Sequence, residues 1–224
     1  MKDKSCGLFI TGTDTSVGKT YVSRLIISFL VSGNLRVGVF KPFLTGGSRG
    51  DIFLLMKAGK IPVTKKNLEI MNPYFFKEPL APAVASFLAK RKVNLEKVRR
   101  AFYNLRRNYD FVIAEGAGGL LVPVTDKKFI IDIVKELALP VVVVSRPGLG
   151  TINHTCLSAE SLLSRGIKDF AVVINNYTGR TLAERTNLPT IKRLIARPVF
   201  TIKRDSSELP EDMRLWLLSK IKRI

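Results

Sequence analysis

A chain of 224 residues, 46% of them hydrophobic, is long enough to bury one sizeable core and too apolar for a disordered protein. No apolar run approaches the ~18 residues that a membrane span requires, and two cysteines beside a single histidine supply neither a disulfide framework nor a zinc site. The formal charge of +19 would attract nucleic acid or anionic surfaces, but the basic residues are scattered without interleaved aromatics, which suits a solvated surface better than a nucleic-acid groove.

Strand and helix signals alternate along the chain, in one domain over residues 1–224. Residues 7–10 form an apolar run suited to a buried strand. No signal peptide fits ahead of them, so the cytoplasm is the expected compartment. Residues 11–20 then read TGTDTSVGKT, and 21–31 read as a helix with Val22, Leu25, Ile26, Phe29 and Leu30 on one face. A strand, a glycine-bearing turn and a helix N-terminus surround an anion with backbone N–H groups. Lys19 can then reach the terminal phosphates of a nucleotide, and the Thr20 hydroxyl can hold Mg2+. The loop is a variant, because five residues stand between Gly12 and Gly18 where the usual pattern has four.

A second strand over 36–40 ends at Lys41-Pro42. A loop carrying Gly46, Gly47 and Gly50 leads to Asp51, read as the cap of a helix over 52–58. Asn72-Pro73-Tyr74 opens a connection punctuated by Pro79 and Pro82, followed by a helix over 83–90. Leu95, Val98, Phe102 and Leu105 make a helical core stripe capped by Asn94. A strand over 110–114 delivers Glu115-Gly116-Ala117-Gly118-Gly119 at its end. Helices over 129–137 and 151–165 alternate with strands over 140–144 and 170–174, the latter ending in Asn175-Asn176. A strand over 198–202 and a helix over 209–221 close the chain. This order implies an α/β fold of the P-loop NTPase kind, a mostly parallel sheet with helices on both faces and ligands beyond the strands' C-terminal ends. Residues 12–20, Lys41, Glu115 and Asn175 all follow strand ends and should line one edge of the sheet.

Six segments, in this order, resemble the dethiobiotin synthetases, the ATP-dependent ligases that close the ureido ring in biotin biosynthesis. They are Gly12-Thr-Asp-Thr-Ser-Val-Gly-Lys-Thr20, Lys41-Pro-Phe-Leu-Thr-Gly46, Asn72-Pro-Tyr74, Pro79-Leu-Ala-Pro82, Glu115-Gly-Ala-Gly-Gly119 and Leu149-Gly-Thr-Ile-Asn-His154. The resemblance runs from the start of the chain to about Asn176. It implies ATP and Mg2+ as cofactors, 7,8-diaminopelargonic acid and CO2 as substrates, and a path through a carbamate and a carbamic-phosphoric anhydride. On this resemblance Ser16, Val17, Gly18, Lys19, Thr20 and Tyr21 would bind the ATP phosphates, and Thr20, Asp51 and Glu115 would hold Mg2+. Lys19 and Lys41 would supply the catalytic charge, and Thr45 would contact the diamine. Gly116, Ala117 and Gly118 would lie near the phosphates and the developing carbamate, and Asn175 with Asn176 near adenine. Gly150 and Asn153 would meet the neighbouring subunit's diamine in a homodimer.

Other readings stay open beside it. The partition and positioning ATPases share this fold and switch between nucleotide states on DNA or membrane. Their phosphate loop usually carries an additional lysine near its start, where this chain has Gly12-Thr13-Asp14-Thr15. His154 reads as a hydrogen-bonding residue at a helix end rather than a catalyst. The segment FTIKR over 200–204 leaves the choice among ATP, CTP and GTP undecided.

Overall fold

The computed structural model describes residues 6–221; the first five residues, where no signal peptide is expected, and Lys222 and Arg223 of the last basic cluster lie outside the described residues. The large sheet is built from β1 (Cys6–Gly12), β2 (Val37–Phe40), β5 (Phe111–Gly119), β6 (Val141–Ser145), β7 (Phe170–Tyr177) and β8 (Val199–Lys203). A smaller pair joins β3 (Phe43–Thr45) to β4 (Tyr74–Phe76). The large sheet runs β2-β5-β1-β6-β7-β8 with every pairing parallel. Parallel strands need covered faces. All five residues of β6 and all four of β2 are buried, and successive residues point to opposite faces, so both faces are covered. Strand β1 lies between β5 and β6, the point where the chain's progression across the sheet reverses and where α/β folds open a ligand crevice.

The helices fall in the connections. They are α1 (Lys19–Ser32), α2 (Gly50–Ala58), α3 (Lys65–Met71), α4 (Pro82–Leu88), α5 (Leu95–Asn108), α6 (Ile130–Leu137), α7 (Thr151–Ser164), α8 (Leu182–Leu194) and α9 (Glu211–Ile221). The expected stripe of α5 is present: Val98, Phe102 and Leu105 are buried, and the Asn94 side chain accepts from the Lys97 N–H at 3.2 Å. Among the described residues no helix is long and apolar enough to cross a membrane.

Several expectations need correction. Asp51 is no helix cap: α2 begins at Gly50 with Arg49 at its N-cap, and Asp51 sits in the first turn with its carboxylate turned to Lys41. Glu115 and the glycines after it belong to β5 rather than to a loop beyond it. Strands β3 and β4 and helices α3 and α8 were not legible in the sequence. Each of the two strands is three residues long, too short to show a period. Helix α8 carries Pro189 inside it and buries Glu184 and Asn187 beside a single apolar Ile191, so its buried face does not read as hydrophobic.

Candidate active site

At the C-terminal end of β1 the chain turns sharply under a bond from the Thr13 N–H to the Val144 carbonyl (2.9 Å). Ser16 and Gly18 both have left-handed backbone, φ 59° and 94°, which curls successive N–H groups into an anion-binding hollow. Only glycine fits at position 18: an added Cβ would lie 2.0 Å from Asn175 Nδ2 in a conformation that L side chains avoid. Helix α1 starts at Lys19 with no side-chain cap and no acidic residue in its first turn, so its leading N–H groups remain available to a ligand. Lys19 Nζ donates to the Asp14 carbonyl at 2.8 Å, which curls the lysine back over the loop.

A second group of charges faces this loop. Glu115 on β5 is fully buried, yet each of its oxygens is bonded. Its Oε1 accepts from Thr20 Oγ1 at 2.7 Å and from Lys41 Nζ at 2.6 Å, and its Oε2 accepts from Ser23 Oγ at 2.7 Å. Lys41, 4% exposed, also pairs with Asp51 and lies 3.5 Å from Thr20 Oγ1. Burial alone would lower the Lys41 pKa, but the carboxylates of Glu115 and Asp51 outweigh it and raise it above the ordinary lysine value. Lys19 moves the other way: burial lowers it, Glu115 opposes, and the positive charge of Lys41 adds to the lowering. Two lysines in one cavity are therefore held at different readiness to give up a proton.

The cavity between these groups measures about 570 Å³. Ser16, Gly18, Lys19, Thr20, Tyr21, Lys41, Thr45, Asp51, Glu115, Gly116, Ala117 and Gly118 line it, which brings together most of the residues expected from the sequence. Val17 does not reach it; its carbonyl instead accepts from Asn175 Nδ2 at 3.0 Å, so Asn175 braces the loop from beneath. Asn175 is buried, and its Oδ1 has no partner among the described residues. Asn176, exposed with φ 57°, lies outside the cavity wall. Gly150 and Asn153 are exposed at the start of α7 and do not line the cavity of their own chain. His154 beside them is bonded to Arg146 through Nδ1 at 3.1 Å, the helix-end role expected of it.

Sequence reading missed three contributors. Ser23 lies one turn beyond Thr20 on the buried side of α1, and a hydroxyl interrupting that apolar stripe was its signal. The Pro79-Leu-Ala-Pro82 segment lines the cavity together with Phe43 and Leu44. Asn72 holds the backbone of Lys41, its Nδ2 donating to that carbonyl at 2.7 Å.

The donor set suits Mg2+. Thr20 Oγ1, Glu115 Oε1 and Asp51 Oδ2 converge on one ammonium, and all are hard oxygens. Two carboxylates and a hydroxyl would leave positions open for phosphate oxygens and water, as Mg2+ prefers.

A family model described as an AAA domain matches residues 6–203. The chain is 40% identical over 201 residues to the ATP-dependent dethiobiotin synthetase BioD of Bacillus licheniformis, covering 88% of this chain and 84% of that protein. It is 44% identical over 175 residues to the protein of the same name from Methanocaldococcus jannaschii, covering 76% of this chain and 80% of the relative. Among solved structures, it resembles a plasmid partition protein of Borrelia burgdorferi bound to AMPPNP, with a TM-score of 0.61 and 14% identity over 99% of this chain and 100% of that one. A ParA family ATPase of Chlorobium tepidum gives a TM-score of 0.54 at 17% identity over 98% of this chain and 90% of that one. At such identities the structural likeness speaks for the fold alone.

Proposed function

The chain belongs to the family of ATP-dependent dethiobiotin synthetases, and from that premise we propose how its cavity divides the reaction. The protein is a ligase that makes dethiobiotin with ATP. The observation that carries the assignment of roles is the buried ammonium of Lys41, held by Glu115 and Asp51 in the cavity that also contains Lys19 and the uncapped start of α1.

On this reading the substrates are 7,8-diaminopelargonic acid and CO2. One amine takes up CO2 as a carbamate, losing a proton. A carbamate oxygen then attacks the γ-phosphorus of ATP as the bond to ADP breaks. The second amine attacks the carbonyl carbon of the resulting carbamic-phosphoric anhydride and loses a proton, phosphate leaves, and the ring closes. The difficulty lies in bringing an anionic carbamate to an anionic triphosphate, so fixed positive charge between them is what the site must supply. Lys19 and the N–H groups of residues 16–21 hold the phosphates. Lys41 faces the carbamate, its charge kept by two carboxylates, and steadies the negative charge that spreads during transfer. Thr20, Glu115 and Asp51 would hold Mg2+, which supplies further neutralisation of phosphate charge when bound. Gly116, Ala117 and Gly118 offer backbone groups to the transferred phosphoryl, and Thr45 orients the diamine.

Asn175 has its Nδ2 occupied by Val17, leaving a buried Oδ1 to accept from the exocyclic amine of adenine, with Asn176 beside it. Gly150 and Asn153 lie outside the cavity of their own chain, so their contact with the diamine requires a second copy: the working enzyme on this reading is a homodimer of single-domain subunits in the cytoplasm.

The test is direct. Purified protein given the diamine, bicarbonate, Mg2+ and ATP should release phosphate and form dethiobiotin in equal amounts, measured by a phosphate assay and mass spectrometry. ATP turnover that needs no diamine and rises with DNA would instead support a partition-type switch.

A further inference from the structure

Strand β2 stops at Phe40, whose pairing with Ala114 is the last rung of its ladder. Lys41 therefore sits on chain that the large sheet no longer holds, and Pro42 after it has no N–H to offer a ladder. The backbone of these two residues is held instead by residues 71–74. The Lys41 N–H donates to the Met71 carbonyl at 2.8 Å, and the Tyr74 N–H donates to the Pro42 carbonyl at 3.1 Å. The Lys41 carbonyl accepts from Asn72 Nδ2 at 2.7 Å, and that same amide donates to the Tyr74 carbonyl at 3.1 Å. Among the described residues Asn72 is thus the one side chain in this clamp, and it is 2% exposed.

Its orientation follows from its neighbours. Both nearby partners are carbonyl oxygens, so the NH2 group faces them and Oδ1 faces away. That Oδ1 is buried without a partner among the described residues. An unmet buried acceptor is destabilising, so the amide at this position is explained by its two donors rather than by its bulk.

We infer that Asn72 is a positioning residue for the ligase reaction: by holding the carbonyl of Lys41 to the start of β4, it aims the ammonium at Glu115, Asp51 and the cavity. The inference rests on the reading above in which Lys41 meets the substrates. A side chain that sets the aim of a charged group acts on turnover more than on nucleotide binding, because among the described residues Asn72 bonds to the backbone of Lys41 and Tyr74 and not to the phosphate loop.

The experiment uses Asn72→Ala, Asn72→Asp, Lys41→Met and the double variant Lys41→Met with Asn72→Ala, each in the purified full chain with diamine, bicarbonate and ATP. Circular dichroism and ATP-binding stoichiometry count the folded, competent sites. Asn72→Ala should lower kcat about ten- to a hundredfold, the range that a small misplacement of a reacting group produces, with KM for ATP within about twofold. Asn72→Asp keeps the shape but points a carboxylate at two carbonyl oxygens, so it should lose at least as much and serves where the alanine variant folds poorly. In the Lys41→Met background the Asn72→Ala change should add less than about twofold, since residues acting through one another are not additive. An unchanged kcat per folded site in both single variants, wild-type turnover in Asn72→Asp, or a full further loss in the double variant would each overturn the inference. Wild-type turnover in Lys41→Met would instead remove the Lys41 role itself, and the Asn72 role with it.

Discussion

On the nucleotide side of the cavity, residues 12–21 work almost entirely through the backbone, with one lysine and one hydroxyl added. Around Glu115, by contrast, Lys41, Asp51, Glu115 and Ser23 come from four separate segments and work through side-chain atoms, Glu115 accepting from Lys41 at 2.6 Å and from Ser23 at 2.7 Å. The first arrangement presents repeated N–H groups to a shape that any triphosphate shares. The second places one cation at one spot. On the proposed reading, binding and chemistry are carried by different kinds of structure, so they should fail separately when mutated.

The largest effect expected is on turnover from the side-chain half. Lys41→Met should cut dethiobiotin formation on the order of 10²- to 10³-fold, as loss of a single electrostatic donor does, while ATP affinity measured by calorimetry stays within a few-fold. An equal loss in both would show that the two halves are one unit. Next is the backbone half: Gly18→Ala forces a Cβ to within 2.0 Å of Asn175 Nδ2 at φ 94°, so ATP affinity should drop by more than about tenfold, a left-handed strain of roughly 1–2 kcal/mol adding to the displaced brace. Ser23→Ala sharpens the comparison, because it removes a donor to Glu115 Oε2 without touching loop or lysine. A hydrogen bond to a charged group is worth about 1.5–3 kcal/mol, so the melting temperature should fall by several degrees while nucleotide affinity hardly moves.

The smallest effect lies outside both halves. Glu184 on α8 accepts from the N–H and hydroxyl of Thr178 at 2.8 and 2.7 Å and from the Gly179 N–H at 2.6 Å, which shapes the loop after β7. The Thr178 hydroxyl chiefly, with the backbone N–H groups and against an opposing effect of burial, holds its carboxyl below the usual glutamate value. A depressed acid stabilises the fold above its unfolded pKa and loses that contribution as pH falls through the folded one. Wild type should therefore melt above Glu184→Gln at neutral pH, and the gap should close as the pH drops below about 4. A gap that persisted in acid would mean the carboxylate's charge is not what organises the loop.

Local sequence determined the parts of this protein that rest on local physics. The apolar run before Gly12, the uncapped helix after Gly18 and the stripe of Val98, Phe102 and Leu105 follow from spacing within one turn or one strand, so they could be read directly. That Lys41, Glu115 and Asn175 end up along one sheet edge followed from the strand and helix alternation. What they do to one another did not. From its neighbours Asp51 reads as a cap, and only the family resemblance assigns it to Mg2+; in the fold its carboxylate holds a lysine ten positions back. Asn72 and the walls from Phe43 to Pro82 joined the site only through packing: the short strands β3 and β4, paired across a long stretch of chain, hold these segments together. The physical reason is range. Hydrophobic period and turn chemistry act over a few residues and leave a mark in the order of letters, whereas a buried carboxylate collects donors from wherever the folded chain passes near it.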